Sequence, residues 1–534
     1  MLFTKQTLPI KNTNLFSDLF TDYISASEKV KPFFKSHIFQ TDVESYLNNT
    51  SFENVERTVL VEALKAQSLL VNNTSEFSQK NINELSKKTT YTVTTGHQLC
   101  LFTGPLYFIY KIASTINLAT TLKSKFPDKH FVPVYWMASE DHDFEEVNHV
   151  NIFNKKVIWN SSQTGSVGDF NTEGLAEVIA ELKTILGEND NATSLIALFE
   201  TVYLKHTTLA DATRYLVNEL FGEYGLVILD GNDKELKALF KEEFKADVFE
   251  NKSVALVNQS ITELSKNYSA QVNPREINVF YKTNGIRERI ECIASERYTV
   301  VNTKLSFSKT ELENIIENTP EKLSPNVVLR PLYQQKILPN IAYIGGPGEL
   351  AYWLEFKALF ESYKINFPIL MPRNFAMIVD KGTKQKMQKF DLAIQDLFSE
   401  GEVLVKQFIK TQHEDVNLNV IKSQFETIYA SLTDTVGSID KSLIASTEAE
   451  KQKTLNGIHT IEQKINRAFK QKSETDVNQI WALKGKLFPN NIPQERYDNM
   501  SMYYAKHGKN FISDMIAELT YDLNSFEYIV FTEN

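Results

Sequence analysis

Residues 91–137 place the tightest constraint on how this chain can fold. Residues 91–95 form a short β-branched run, and 96–104 form a turn-rich loop. Phe108, Ile112, Ile116, Ala119 and Leu122 then recur at helical spacing up to Phe126-Pro127. Residues 131–137 (FVPVYWM) read as a second, continuously apolar strand. A strand, a helix and a second strand in that order make a βαβ unit, which implies a parallel sheet.

Two more strand-then-turn units extend the pattern. LVIL at 226–229 runs into Asp230-Gly231-Asn232-Asp233 and the helical stretch KELKALFKEEF. Residues 341–344 run into Gly345-Gly346-Pro347-Gly348 and then ELAYWLEFKALFESY. Strands alternating with helices predict an α/β fold with a doubly wound parallel core. Residues 1–88 read as mostly helical, with Val55, Val59, Val61, Leu64, Leu69 and Leu70 on one periodic face. The segments 151–220 and 245–325 read as insertions into the core.

At 534 residues the chain exceeds one core, and about 150 residues per domain suggests roughly three parts. The expected parts are a core over 1–380, a helical domain over 381–487, and a segment over 488–534 returning to the core. In the helical part, Leu418, Ile421, Phe425, Ile428 and Leu432 alternate steps of three and four, the seam of a heptad. Gly437 breaks that pattern, Asp440 can cap a new helix, and Leu455, Ile458, Ile461, Ile465 and Ala468 continue a comparable seam. With 16 Lys plus Arg against 14 Asp plus Glu over 381–487, this pair of helices suits a protein surface better than nucleic acid.

The formal charge of −10 points the same way, because phosphate backbones demand clustered basic residues. Cys100 and Cys292 are too few for a disulfide framework or a thiolate zinc site. No signal-peptide pattern opens the sequence and no apolar run reaches the roughly 18 residues of a membrane span. The expected location is the cytoplasm, with neither a nucleic-acid nor a membrane partner. Phe 35 and Tyr 22 are high counts that supply buried contacts or stacking surfaces.

Three segments can carry chemistry. The densest is Glu140-Asp141-His142-Asp143-Phe144-Glu145-Glu146-Val147-Asn148-His149, directly after the strand FVPVYWM. Ligands of open α/β sheets bind beyond the carboxyl ends of strands, where this cluster emerges. So many carboxylates repel one another unless a cation or donor offsets them. The cluster suits a magnesium-nucleotide or amine site, an acidic helix start, or a metal site if His142 and Glu146 share a helical face. The second segment is TTGHQLCLFTGPLYFIYK, residues 94–111. There Gly96 and Gly104 allow close backbone approach, His97 and Gln98 can donate to phosphate or an oxyanion, and Tyr107 and Lys111 follow on the helix. It lacks the P-loop and dinucleotide fingerprints. The third joins Arg330, Tyr333 and Gln334 to Gly345, Gly346, Gly348 and Glu349. Arg330 offers a fork for carboxylate or phosphate, Glu349 favours a cation, and Arg373 is a weaker partner.

Taken together, TTGHQLCLFTGPLYFIYK, PVYWMASEDHDFEEVNH and LSPNVVLRPLYQQKILPNIAYIGGPGELAYW resemble the signature stretches of the cysteine-adding ligases that complete bacillithiol synthesis. LVILDGND, FPILMPRNFAMIVD and PQERYDNMSMYYAKHG extend the resemblance over about residues 90–510. The resemblance implies a Rossmann-like core with inserted connecting segments and a coiled-coil domain through which two subunits pair. It implies attachment of cysteine to the glucosamine amine of glucosaminyl malate. Because that core is similar to class I nucleotidyltransferases and synthetases, it also implies ATP or another adenine nucleotide, with Mg2+.

In that picture the 94–111 loop and Lys111 hold phosphates, and carboxylates among Glu140, Asp141, Asp143 and Glu146 orient magnesium or the amines. One of them, or His142, takes the amine proton, and Asn148 and His149 bind substrate or nucleotide. Arg330 binds a carboxylate. Two alternatives are a metal-dependent hydrolase with His142, Glu146 and His149 as ligands, and a non-catalytic coiled-coil scaffold.

Overall fold

The computed structural model describes residues 3–37, 43–294, 296–412, 418–523 and 525–534. Its chain divides into two compact units, Met1–Met377 with Gln494–Phe531, and Ile378–Pro493 with Thr532–Asn534. Part of the expected helical domain, residues 413–417, lies outside the described residues.

The first unit is built on five parallel strands: β1 (Thr90–His97), β2 (His130–Met137), β3 (Val227–Asp230), β4 (Asn340–Gly345) and β5 (Ile369–Pro372). Their spatial order is β5-β4-β1-β2-β3, so the winding reverses between β1 and β4. That is the doubly wound order, and the gap beyond the ends of β1 and β4 is its switch point. The strands are buried on both faces, which is why they read as unbroken apolar or β-branched runs. Pro133 is tolerated inside β2 because pairing to β3 begins only at Val134, leaving the proline with β1 as its one paired neighbour.

Helix α1 (Tyr107–Lys125) follows β1 as expected, and Lys123 and Lys125 in its last turn suit the negative end of its dipole. Helix α2 (Leu329–Ile337) precedes β4, and α3 (Pro347–Trp353) follows it. The N-terminal region is largely helical, as predicted, after an initial strand at Phe3–Pro9. One detail differs: the helix Arg57–Ser68 buries Leu60, Val61 and Leu64, but Leu69 and Leu70 fall past its end and are exposed.

The two insertions have distinct structures. The segment after β2 is a hairpin, His149–Ile152 with Lys155–Ile158, followed by three helices. The segment after β3 carries a second sheet with no clear signal in the sequence, its five strands between Val279 and Pro325 paired antiparallel.

In the second unit, α4 (Leu418–Ile439) and α5 (Leu443–Lys472) form a hairpin, joined by Lys422–Glu462 at 2.8 Å and Tyr429–Thr454 at 2.7 Å. Gly437 does not end α4, which runs two residues further, to Ile439. Asp440 instead shapes the turn by accepting the Ser442 N–H at 2.9 Å. α4 buries none of its residues, and Ile421, Phe425, Ile428 and Leu432 all stay exposed.

Candidate functional site

At the switch point, β1 ends in Gly96-His97 and β4 ends in Gly345. Successive strand residues face opposite sides of a sheet, and these two divide the site accordingly. On one side, Gly96 leaves room for Arg330 of α2: a Cβ at Gly96 would lie 3.3 Å from the Tyr343 hydroxyl and 3.8 Å from Arg330 Nη1. Arg330 Nη1 donates to Gln334 Oε1 at 3.0 Å, one helical turn on. The guanidinium lies 5.9 Å from the rings of both Trp136 and Tyr343. Arg330 Nη2 and Gln334 Nε2 are buried and find no hydrogen-bond partner among the described residues. Two buried donors without acceptors are costly, on the order of 1–3 kcal/mol each, unless a ligand answers them.

On the other side, the His97 ring packs 5.3 Å from Tyr107 and 5.1 Å from Phe108 of α1. Its Nε2 also lacks a partner among the described residues. Burial, followed by the charges of Lys111 and Arg373, holds the imidazole well below its ordinary range. His97 is therefore a neutral ring at the end of β1.

Glu349 ties α1, β4 and α3 together. Its Oε2 accepts from Lys111 Nζ at 2.7 Å and from the Gly346 N–H at 2.8 Å, and its Oε1 accepts from the Tyr343 hydroxyl at 2.8 Å. Lys111 Nζ also donates to Gly96 O. Burial pushes the Glu349 carboxyl up, but the charge and hydrogen bond of Lys111, with the other donors, bring it below the usual carboxylate range. Glu349, expected to favour a cationic ligand group, is paired with Lys111. That pairing also commits Lys111, so it is not free to reach a phosphate. The Gly346 N–H is capped in the same way. Gly345 is required by packing, since a Cβ would meet Leu350 Cδ2 at 2.8 Å, whereas a Cβ at Gly348 would meet open space.

The loop after β1 is held in an uncommon conformation. Phe102, Thr103 and Gly104 have φ of 50°, 75° and 64°. A Cβ on Gly104 would sit 2.6 Å from that of Cys100. Left-handed backbone at a β-branched residue is strained and persists only where its surroundings fix it. Asn499 does so: its side-chain amide donates to Phe102 O at 2.8 Å and to Gly104 O at 2.6 Å. The segment containing Asn499 was noted in the sequence without a role at the site.

The acidic cluster emerges at the end of β2 as expected, but only four of its ten residues are helical. The helix there is only Phe144–Val147, so His142 and Glu146 do not share a helical face. Each of the inner carboxylates has found a donor. Glu140 pairs with the fully buried Lys237 at 2.7 Å. Gln98 Nε2 donates to both Asp141 at 2.8 Å and Glu146 at 2.7 Å. Gln98 thus faces carboxylates instead of a phosphate or oxyanion, because the loop after β1 meets the loop after β2. Asp143 is exposed, and its N–H goes to Asp141. His142 Nδ1 lies 2.6 Å from Arg287 Nη1 on the antiparallel sheet, a contact with no local sequence signal.

Other expected residues serve the scaffold. Asn148 is buried with its carbonyl accepting the Trp159 N–H at 2.7 Å, and its Oδ1 lies 3.1 Å from His149 Nδ1. Tyr333 donates to Gly231 O at 2.8 Å and packs edge-on against Trp136. Arg373 is fully buried and held by Glu495 at 2.7 and 3.0 Å, which leaves no fork for a ligand. Among the described residues no three His, Cys, Asp or Glu side chains are arranged to hold a metal ion. His142, Glu146 and His149 therefore do not assemble the expected hydrolase ligand set. Asp141 and Glu146, sharing one donor, do match the one or two carboxylates that Mg2+ takes when phosphates complete its shell.

Residues 3–374 match the family model described as the N-terminal Rossmann-like domain of bacillithiol biosynthesis BshC. Residues 376–531 match that of the BshC C-terminal coiled-coil domain. A relative from Flavobacterium johnsoniae, provisionally named as the cysteine ligase BshC, is 41% identical over 95% of this chain and 96% of its own length. Relatives given the same name from Flavobacterium psychrophilum and Christiangramia forsetii are 42% and 40% identical, covering 95% and 97% of this chain and 96% and 98% of their own.

Proposed function

Because the chain belongs to the bacillithiol biosynthesis BshC family, we propose that it is a ligase joining cysteine to the glucosamine amine of glucosaminyl malate. The observation that best supports a small-molecule site is the pair of unanswered buried donors, Arg330 Nη2 and Gln334 Nε2, beside Gly96 at the switch point. A carboxylate is the acceptor that suits them, because a guanidinium offers several donors in one plane. Glucosaminyl malate brings carboxylates of its own, and Arg330 is the residue to hold one.

Amide formation from a carboxylate needs activation. A bound ATP would supply it, by placing a phosphoryl or adenylyl group on a cysteine carboxylate oxygen, which would then depart as phosphate or AMP when the amine takes the acyl carbon. The chain's own residues do the rest. Asp141 and Glu146 would hold Mg2+, and Gly96 lets a ligand approach the backbone. His97, neutral and with Nε2 unanswered, can donate to or accept from a bound group beside α1. The attacking amine must lose a proton, and the exposed carboxylate of Asp143 would accept it through solvent.

The exposed stripe on α4 supports pairing with a second copy in the heptad manner, giving a homodimer in the cytoplasm. No helix among the described residues is long and apolar enough to cross a membrane.

The test is direct. Purified protein, glucosaminyl malate, cysteine, ATP and Mg2+ should yield bacillithiol by mass spectrometry, with no product when nucleotide is omitted. Product without nucleotide overturns the activation step, and no product in the complete mixture overturns the ligase reading.

A further inference from the structure

The antiparallel sheet contributes one residue to the acidic loop beyond β2. Arg287 is buried on the strand Ile286–Ala294, and its guanidinium is fixed on every side. Nε donates to Ser324 Oγ at 3.0 Å, Nη2 to Pro325 O at 3.4 Å, and the plane stacks 4.2 Å over the Phe280 ring. The remaining arm, Nη1, reaches His142 Nδ1 at 2.6 Å. A guanidinium can only donate, so Nδ1 must accept. The imidazole is then neutral, and its proton sits on Nε2. The His142 ring also meets Phe280, at 5.4 Å, and its side chain is 47% exposed, so Nε2–H stays accessible.

We propose that His142 acts as an oriented hydrogen-bond donor through Nε2–H, with Arg287 as its positioning residue, and not as the base that takes the amine proton. Its natural acceptor is an oxygen that gains negative charge, on a phosphoryl group or on the carbonyl under attack. The choice of that oxygen rests on the ligase reading, but the tautomer does not.

Two measurements test this. Long-range proton–nitrogen correlation spectra of the full chain with 15N-labelled histidine, taken without substrate, read the His142 tautomer. The ring should carry its proton on Nε2 with Nδ1 bare, and Arg287→Met should lose that preference. A ring protonated on Nδ1, or a tautomer that Arg287→Met leaves unchanged, overturns the proposal whatever the enzyme's activity. Should Arg287→Met fail to fold, Arg287→Lys retains one donor and should weaken the preference less.

In the ligase assay, His142→Ala should lower kcat by roughly 100-fold, as for other lost donors. His142→Gln keeps an N–H donor and should recover at least tenfold of that loss, with the acid limb of the pH profile unchanged. If His142→Gln is as inactive as His142→Ala and the acid limb disappears, His142 is the base and the proposal fails.

Discussion

Lys111 and Glu349 stand 238 residues apart in the chain and meet at 2.7 Å across the switch point of the parallel sheet. Lys111 is almost wholly buried, and its second contact is the Gly96 carbonyl near the end of β1. The pair therefore fixes the end of β1 relative to the start of α3, the two edges of the proposed cleft. Removing one partner of a buried ion pair leaves an uncompensated charge and costs about 3–5 kcal/mol. Lys111→Met should lose stability on that scale in urea unfolding of the first unit's transition. Lys111→Met with Glu349→Gln should recover a large part of it. The sign with pH follows from Glu349, whose folded value lies below the usual range. Its contribution is complete above the ordinary carboxyl value and fades as pH falls through the lower, folded one. Additive losses in the double variant would contradict this coupling.

Arg330 leads to a kinetic prediction. A hydrogen bond to a charged group contributes about 1.5–3 kcal/mol, so Arg330→Met should reduce kcat/KM for glucosaminyl malate by roughly 10- to 100-fold. Arg330→Lys cannot reproduce the planar fork and should recover little. KM for cysteine should change far less than KM for glucosaminyl malate. Equal effects on both would place Arg330 elsewhere in the reaction.

The strained loop supplies a third expectation. Gly104→Ala forces a Cβ onto Cys100 at a φ of 64° and should cost about 1–3 kcal/mol. Asn499→Ala leaves the carbonyls of Phe102 and Gly104 unanswered and should cost a similar amount. Both should also raise KM for ATP, because the same loop leads into α1. Limited proteolysis should find new cleavage between residues 98 and 106. Wild-type resistance there in both variants would show that the loop does not depend on Asn499.

Lys484 in the second unit gives a pH dependence of the same sign in an alkaline window. It is buried, its ammonium donates to Leu397 O at 2.8 Å, and burial pulls its value down to about 8. Between about 8 and the ordinary lysine value near 10.4, the unfolded chain binds a proton that the folded chain does not. Stability of this unit should therefore rise with pH through that window, and the rise should be absent in Lys484→Met. Thermal unfolding at pH 7.5 and at about pH 9.5, wild type against variant, reads the difference. Parallel behaviour of the two proteins would assign Lys484 an ordinary titration.

The sequence revealed what repeats locally and concealed what joins distant segments. β1, β2 and the α1 between them were legible because strands buried on both faces are unbroken apolar runs and the helix shows its own period. The antiparallel sheet was not, since the strand IRERIECIA mixes charge with short apolar steps and resembles a solvated segment. The same limit applied to the site. His97, Gln98, Arg330 and Glu349 could be picked out by residue type and strand-end position. That Lys111 would be taken by Glu349, Arg373 by Glu495, and His142 by Arg287 depends on contacts spanning 122 to 238 residues. No periodicity encodes those. The heptad seam was legible as a pattern, though not which surface it covers.

That seam leads to the last prediction. Phe425 and Ile428 project from α4 at heptad spacing and remain exposed. Exposed apolar side chains in a continuous stripe are unfavourable in water by about 25 cal/mol for each Å² left uncovered, and a second copy offers the same stripe in return. Ile428→Glu with Phe425→Glu would set two carboxylates against their counterparts across such an interface. Sedimentation at micromolar concentration should show a dimer for the wild type and a monomer for the double variant, with helical content preserved. Because the residues proposed for catalysis all lie in the first unit, the monomer should keep most of its specific activity. A wild type that sediments as a monomer, or a double variant that stays dimeric, would remove this stripe as the pairing surface.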